Sequence, residues 1–90
     1  MYDQYKIEKA INLLPKNIKK YRERKGWSQQ KLAEEVGYKN RVTVYQFEVG
    51  RKIPDSITLL KIADVLEVSI TDILTDKLEN DDTVIYTGPE

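Results

Sequence analysis

Residues 28–50 read SQQKLAEEVGYKNRVTVYQFEVG and predict two short helices separated by a turn. The first helix begins after Ser28, because serine is among the residues preferred at helix N-caps. Its apolar side chains recur at helical spacing; they are Leu32, Ala33 and Val36. Gly37 ends this helix, since glycine adopts the left-handed conformation of a helix C-cap without steric cost. Residues 38–40 are therefore predicted to form the turn.

The second helix of the pair is predicted over residues 41–49. Asn40 is its expected N-cap, and Gly50 follows its last residue. Val44 and Phe47 lie three positions apart and are predicted to face the core, which leaves the polar side chains at the start of the helix exposed. The major groove of DNA is about 12 Å wide and admits one helix of this kind.

Helical patterns continue on the N-terminal side of this pair. Residues 2–14 form one predicted helix, with an apolar face made of Ile7, Ala10, Ile11 and Leu14. Pro15 then begins a separate helix, because proline is tolerated in a first turn. That helix is predicted to run to about residue 25, with Ile18 and Tyr21 facing inward, and to end at Gly26.

Two more helices are predicted on the C-terminal side. Asp55 or Ser56 caps a helix over residues 57–66, and its apolar residues are Leu59, Leu60, Ile62, Ala63 and Leu66. Ser69 followed by Asp72 has the spacing of a capping box for a short helix that ends near residue 78. Residues 79–90 are acidic and become strand-like at residues 83–86, so we expect a flexible tail or an arm that docks elsewhere.

These patterns predict an all-α protein, a bundle of about five short helices with an extra helix at the N-terminus. The predicted organisation is an accessory helix at residues 1–14, a helix-turn-helix domain at residues 15–78 and the acidic tail at residues 79–90. A chain of 90 residues supports one small core and leaves little volume for a deep substrate cavity.

The charges are strongly segregated along the chain although the formal net charge is zero. Residues 1–52 contain thirteen Lys and Arg and six Asp and Glu side chains, while residues 53–90 contain two and nine. One end of the molecule is therefore suited to a polyanion that the other end repels. Such asymmetry favours a nucleic-acid partner.

The composition excludes several kinds of catalytic and metal site. The chain has no cysteine and no histidine, which removes disulfides, thiolate metal sites, cysteine nucleophiles and imidazole bases. No pair of carboxylates, phosphate-binding glycine loop or nucleophile–base set stands out, so we predict no enzyme activity and no cofactor or metal. No apolar run approaches the roughly 18 residues of a membrane span, and no signal-peptide pattern is visible. We therefore expect a cytoplasmic protein without a membrane partner.

An ordered series of residues carries a family resemblance across residues 18–74. It comprises Arg22 four positions before Gly26, then Ser28-Gln29-Gln30-Lys31-Leu32-Ala33, Val36-Gly37, Val44, Phe47-Glu48-Val49-Gly50, Pro54, the run from Leu59 to Leu66, Val68-Ser69-Ile70 and Ile73-Leu74. The series resembles the phage-repressor and Cro class of helix-turn-helix regulators, the XRE family. The resemblance implies a lambda-repressor-like bundle, double-stranded DNA as partner, and a bacterial or phage-encoded protein associated with the nucleoid. The turn after Gly37 is one residue longer than in the shortest family members.

The resemblance also implies that the helix at residues 40–49 reads base edges in the major groove. The candidate base-contacting residues are Asn40, Arg41, Val42, Thr43, Tyr45 and Gln46. Arginine pairs bidentately with guanine, asparagine and glutamine pair with adenine, and an apolar side chain such as Val42 meets a thymine methyl group.

Further roles follow from the same resemblance. Candidate phosphate contacts are Ser28 and Gln29 at the start of the preceding helix and the flanking Lys39, Arg51 and Lys52. Arg22 and Glu48 are expected to form a partly buried ion pair that ties the first core helix to the recognition helix.

Several functions remain open from the sequence. The leading hypothesis is a repressor that binds a palindromic operator as a homodimer through residues 66–78, with the N-terminal helix or residues 83–86 as other possible dimer contacts. The alternative is an antitoxin that represses its own operon and binds a protein partner, the toxin, through residues 79–90. A third hypothesis is a protein-interaction module without DNA binding, which the basic half of the chain argues against, and an enzyme is the least favoured class.

Overall fold

A computed structural model describes residues 3–76 of the chain, and within them every regular element is an α-helix. The five helices are α1 at Gln4–Arg24, α2 at Gln29–Val36, α3 at Val42–Glu48, α4 at Ser56–Leu66 and α5 at Ile70–Leu74. The predicted all-α bundle is confirmed. The predicted tail at residues 79–90, its strand-like stretch and the end of the last helix near residue 78 lie outside the described residues.

The predicted helix breaks at residues 26, 37 and 50 are present, and Ser28, Asp55 and Ser69 form the predicted caps. The predicted cap of α3 at Asn40 is wrong, because the helix begins one residue later than expected and Arg41 occupies its N-cap position without a side-chain hydrogen bond. The hydroxyl of Ser28 accepts from the backbone N–H of Lys31 at the start of α2, and Gly37 has the left-handed φ of 110° at its end. Ser69 and Asp72 form the reciprocal capping box at the start of α5. The local sequence therefore sets where α2 and α5 begin.

The predicted break at Pro15 is wrong, because α1 continues through this residue. A proline inside a helix removes one backbone hydrogen bond, but Leu14 and Ile18 on either side of it are buried in the core. Pro15 also faces the end of α3, since a β-carbon built on Gly50 would lie 3.8 Å from its Cγ atom. Packing on both sides outweighs the missing bond, so the predicted boundary between residues 14 and 15 falls within a single helix.

The hydrophobic core lies where α1, α2, α3, α4 and α5 meet. It contains Leu14, Ile18, Tyr21, Leu32, Ala33, Val44, Phe47, Ile62, Ala63, Leu66 and Ile73. Val36 and Leu59 are half-buried and pack against it. Three residues predicted to face inward are exposed instead: Ile7, Ile11 and Leu60 are 42%, 45% and 53% exposed. The first two lie on the part of α1 that precedes the bundle, and Leu60 lies on the outer face of α4.

A buried amide holds α1 and α5 together. The side chain of Asn17 is almost fully buried, and its Nδ2 atom donates to the carbonyl oxygens of Ile73 at 2.6 Å and Thr75 at 2.8 Å. A buried carbonyl without a donor costs free energy, so this one side chain satisfies the C-terminal end of α5. The sequence analysis did not single out Asn17.

We predict that Asn17→Leu lowers the free energy of unfolding by about 2–4 kcal/mol, because two carbonyl groups lose their donor while the branched outline of the side chain is kept. Urea unfolding followed by circular dichroism measures the effect. Asn12→Leu, at an exposed position of the same helix, is the matched control and should change stability little. Equal effects of the two substitutions would contradict the role of the buried amide.

An ion pair closes the same end of the bundle. The Nζ atom of Lys9 lies 3.1 Å from Oδ2 of Asp76, so the N-terminal half of α1 contacts the residues that follow α5. The hydrogen bond and the charge of Lys9 lower the pKa of Asp76 below its ordinary value. A lowered pKa means that the ionised carboxylate stabilises the folded state.

We predict that Asp76→Asn lowers stability at neutral pH, and that the difference from the parent chain disappears in acid. The contribution is fully present above the ordinary carboxyl pKa of 3.8 and is lost as the pH falls through the lowered value in the folded state. Thermal unfolding of both proteins from pH 7 to pH 2 measures this difference. A difference that stays constant down to the lowest pH would rule out the ion pair as its source.

Candidate nucleic-acid interface

Helix α3 is fixed to the bundle by its buried face. Val44 is fully buried and Phe47 is 4% exposed, as the spacing predicted. The ring of Phe47 meets that of Tyr38, in the turn before α3, edge-on with centroids 6.5 Å apart. The turn and the helix therefore form one rigid unit whose other face is open to solvent.

The exposed face of α3 is less polar than the sequence analysis predicted. Its exposed side chains are Val42, Tyr45 and Val49, which recur at helical spacing and are 54%, 38% and 47% exposed. Thr43 and Gln46 lie beside this stripe and are half-buried. The chain turns back over Gln46 after the helix, because the backbone N–H groups of Arg51 and Lys52 both donate to its carbonyl oxygen.

The start of α3 carries the polar candidates Asn40 and Arg41, and both are exposed. Asn40 Oδ1 accepts from the backbone N–H of Val42 at 3.0 Å, so the asparagine satisfies one of the unpaired donors of the first turn. Arg41 Nη1 donates to Gln29 Oε1 at 3.1 Å, which ties this guanidinium to the first turn of α2.

A buried ion pair supports this arrangement from within. Arg22 of α1 donates through Nε to Glu48 Oε2 at 2.6 Å and through Nη2 to Oε1 at 3.1 Å. The two side chains are only 9% and 2% exposed. The hydrogen bond from Arg22 to Glu48 raises the pKa of the arginine, although burial opposes the shift. The guanidinium therefore stays charged wherever the protein is folded.

The same carboxylate reaches the exposed surface through Gln29. Gln29 Nε2 donates to Glu48 Oε1 at 3.0 Å, and its own Oε1 accepts from Arg41. A continuous chain of hydrogen bonds thus runs from Arg22 through Glu48 and Gln29 to Arg41. Its effect is to fix the amide of Gln29 and to limit the conformations of Arg41.

The candidate phosphate contacts lie at both ends of the α2–α3 unit. Ser28 is exposed and Gln29 half-buried at the N-terminus of α2, where backbone N–H groups and the positive end of the helix favour an anion. Lys39 is exposed in the turn before α3, while Arg51 and Lys52 are exposed directly after it. These positive side chains therefore flank the exposed face of α3 at both ends.

Sequence reasoning missed Gln30, which lines an open groove together with Asn40, Arg41, Val42 and Tyr45. The groove has a volume of about 590 Å³ and lies between α2 and α3. Gln30 Nε2 donates to Glu34 Oε2 at 2.8 Å and to the carbonyl of Lys39 at 3.3 Å. Its position beside Gln29 in the first turn of α2 could have indicated from the sequence that Gln30 lies at this surface.

Two other properties bear on the kind of site this surface forms. Among residues 3–76 no cluster of His, Cys, Asp and Glu side chains is arranged to hold a metal ion. None of the helices in that range has the length and apolar character that crossing a membrane requires.

The helix-turn-helix family model matches residues 18–73, which is more than half of the chain. The chain belongs to the XRE family of helix-turn-helix transcriptional regulators. The matched region begins within α1 and ends within α5, so it contains the whole α2–α3 unit and leaves out residues 4–17 of α1. Membership makes the protein a DNA-binding regulator rather than an enzyme.

Curated relatives support the membership of the XRE family. An uncharacterised prophage SPbeta regulator of Bacillus subtilis, YonR, is 35% identical over 79% of this chain and 72% of its own length. An uncharacterised regulator of the same organism, YqaE, is 34% identical over 64% of this chain. The matched region spans about half, 49%, of YqaE.

A solved structure has the same fold. The crystal structure of a hypothetical transcription factor from Neisseria, NHTF, superposes with a TM-score of 0.68 over 92% of this chain and 91% of the other. The two sequences are 25% identical. The similarity therefore extends beyond the region that the family model covers.

We predict that Arg22→Met destabilises this XRE-family regulator by about 3–5 kcal/mol, because the buried Glu48 carboxylate loses its partner. Arg24→Met, on an exposed position of the same helix, is the matched control and should have a small effect. Replacing both members of the pair by methionine should recover much of the loss, since no buried charge is then left alone. Urea unfolding measures all three variants, and equal destabilisation by the two single arginine substitutions would contradict the prediction.

Proposed function

We propose that this XRE-family regulator is a repressor that binds a palindromic operator as a homodimer, with α3 as its recognition helix in the major groove. One observation carries the proposal: the start of α3 is exposed while its opposite face is held by Val44, Phe47 and the Arg22–Glu48 pair. A rigidly supported helix with a diameter of about 10 Å fits the width of one major groove.

The proposed base contacts follow from the position of each side chain. Arg41 pairs with guanine, and its hydrogen bond to Gln29 orients the guanidinium before DNA arrives. Val42 is exposed next to it and meets a thymine methyl group. Asn40 and Gln46 are the candidates for adenine, while Thr43 and Tyr45 complete the proposed set.

Phosphate contacts fix the register of the helix on the duplex. Ser28 and Gln29 offer the N-terminal end of α2 to one phosphate. Lys39 on one side and Arg51 and Lys52 on the other neutralise further phosphates, and their exposure supports this role. We infer a steep salt dependence, with a slope of about −0.9 for each phosphate contacted.

The biological setting is proposed on two grounds. The basic half of the chain carries α2 and α3 and the acidic half follows them, which suits a protein that binds the nucleoid with one side. The relative from Bacillus subtilis is named as prophage-derived, which supports a cytoplasmic protein of bacterial or phage origin. The antitoxin alternative depends on residues 79–90, outside the described residues, so the proposal remains a repressor.

Two copies are proposed because one module contacts only half a site. Half-sites of a palindrome lie one helical turn apart, about 34 Å. The dimer surface expected at residues 66–78 has little apolar surface to offer in its described part. Leu66 and Ile73 are buried in the core, and Val68, Ile70 and Leu74 pack against it.

Selection of bound sequences from a random duplex pool, followed by binding measurements on variants, tests the proposal. We predict that Arg41→Ala weakens binding to the selected site by about 5- to 150-fold and relaxes the preference at one base pair. Gln46→Ala should relax a different position. Arg24→Ala removes the same charge at an exposed site in the last turn of α1 and should retain the specificity. Unchanged affinity and base preference in both Arg41→Ala and Gln46→Ala would refute the assignment of α3.

A further inference from the structure

The outer edge of α4 carries exposed aliphatic side chains that the fold does not use. We call Ile53, Ile57 and Leu60 the aliphatic strip; they are 61%, 61% and 53% exposed. Ile57 and Leu60 are three residues apart on α4 and share one face of the helix, while Ile53 precedes the helix by three residues. Adjoining exposed aliphatic side chains form an apolar patch, and the largest such patch on a monomer is often functional.

We propose that the aliphatic strip is the surface on which a second copy of this chain docks. The inference rests on the proposed homodimer and gives its interface, in place of the expected surface at residues 66–78. The interface is isologous, so each strip lies against the strip of the other copy across a two-fold axis.

The geometry of a palindromic site favours this edge of the molecule. Two recognition helices about 34 Å apart each lie about 17 Å from the two-fold axis. Ile53 follows the last residue of α3 by five positions, so it lies within about 17 Å of that residue. Helix α5 is less directly connected to α3. It packs on α1 and α4, while α3 packs on α1 and α2. A dimer through the strip thus brings the C-terminal ends of both α3 helices towards the axis.

The area of the strip predicts how strong the dimer is. Its exposed fractions correspond to about 350 Å² of surface, comparable with the largest apolar patch on a typical monomer, which is often functional. Two strips together contribute about 700 Å² of apolar surface, below the roughly 1,200 Å² total of the smaller stable interfaces. The dimer is therefore weak in solution and becomes stable when both copies hold adjacent half-sites.

The charges beside the strip suit a second copy of the chain better than a partner whose surface carries charges of only one sign. Lys61 and Asp64, both exposed on α4, carry opposite charges. In an isologous contact each residue meets its complement in the other copy. Lysine of one protomer and aspartate of the other are thus available to pair at the rim of the apolar contact.

Single-cysteine variants test the interface without DNA, since the chain has no cysteine of its own. Leu60→Cys should form a disulfide-linked dimer at high protein concentration under mild oxidation, at least ten times faster than Ile7→Cys. Ile7 is the matched control because it is also an exposed aliphatic residue and lies on α1, close to Lys9 and the end of α5. Equal rates, or faster linkage of Ile7→Cys, would overturn the proposal.

Charge substitutions test the interface on DNA. Ile57→Glu and Leu60→Glu should lower the affinity for the full palindrome by about 10- to 100-fold and leave the affinity for an isolated half-site unchanged. Ile7→Glu should alter neither. Because Ile57 and Leu60 are exposed, both variants should keep the thermal unfolding temperature of the parent, which separates loss of docking from loss of folding.

The outcomes distinguish this proposal from the proposed function. An equal loss on half-site and full site, or full retention of cooperative binding, would refute the strip as the dimer interface while DNA binding stands. If the parent chain binds no duplex but Leu60→Cys still cross-links preferentially, the interface stands and the repressor function fails.

Discussion

The buried contact between Arg22 and Glu48 is the interaction on which the proposed DNA-binding surface depends. It joins α1 to the last residue of α3, so α3 cannot rotate without breaking a charge-assisted, two-pronged hydrogen bond in a site of low polarity. Glu48 also accepts from Gln29, and Gln29 accepts from Arg41. One carboxylate therefore fixes the orientation of α3 and that of the first polar side chains beside the groove. A buried pair of this kind need not add net stability, and we infer that its main effect is to favour one arrangement of the helices.

The apolar core complements this ion pair by fixing the position of α3 along its buried face. Val44 and Phe47 insert between α1 and α2, and Tyr38 packs against Phe47 from the preceding turn. The opposite face is then exposed as a consequence of helical geometry. That face is a valine, a tyrosine and a second valine flanked by basic residues. Its chemistry suits the proposed thymine-methyl and phosphate contacts, and the start of the helix carries the side chains that we propose to read guanine and adenine.

The region outside the family match has a structural role of its own. Residues 4–17 extend α1 before the region that the family model covers, and Asn17 and Lys9 connect this extension to α5 and the residues that follow it. The C-terminal end of the bundle is thereby covered from within the chain. The exposed edge of α4 has no such cover in residues 3–76. We therefore propose the dimer contact at the uncovered edge of α4 rather than at α5, whose end is already covered.

The sequence by itself determined the all-helical fold, the turns near residues 26, 37 and 50, the caps at Ser28 and Ser69, and the burial of Val44 and Phe47. These features depend on residues close together in the chain, where capping and helical periodicity act directly. Only the tertiary structure decided that α1 passes through Pro15, that Asn17 binds α5, and that Ile7, Ile11 and Leu60 are exposed. Each of these is settled by a neighbour distant in sequence, or by the lack of one. A helical pattern states which residues share a face, but only packing determines whether another element covers that face.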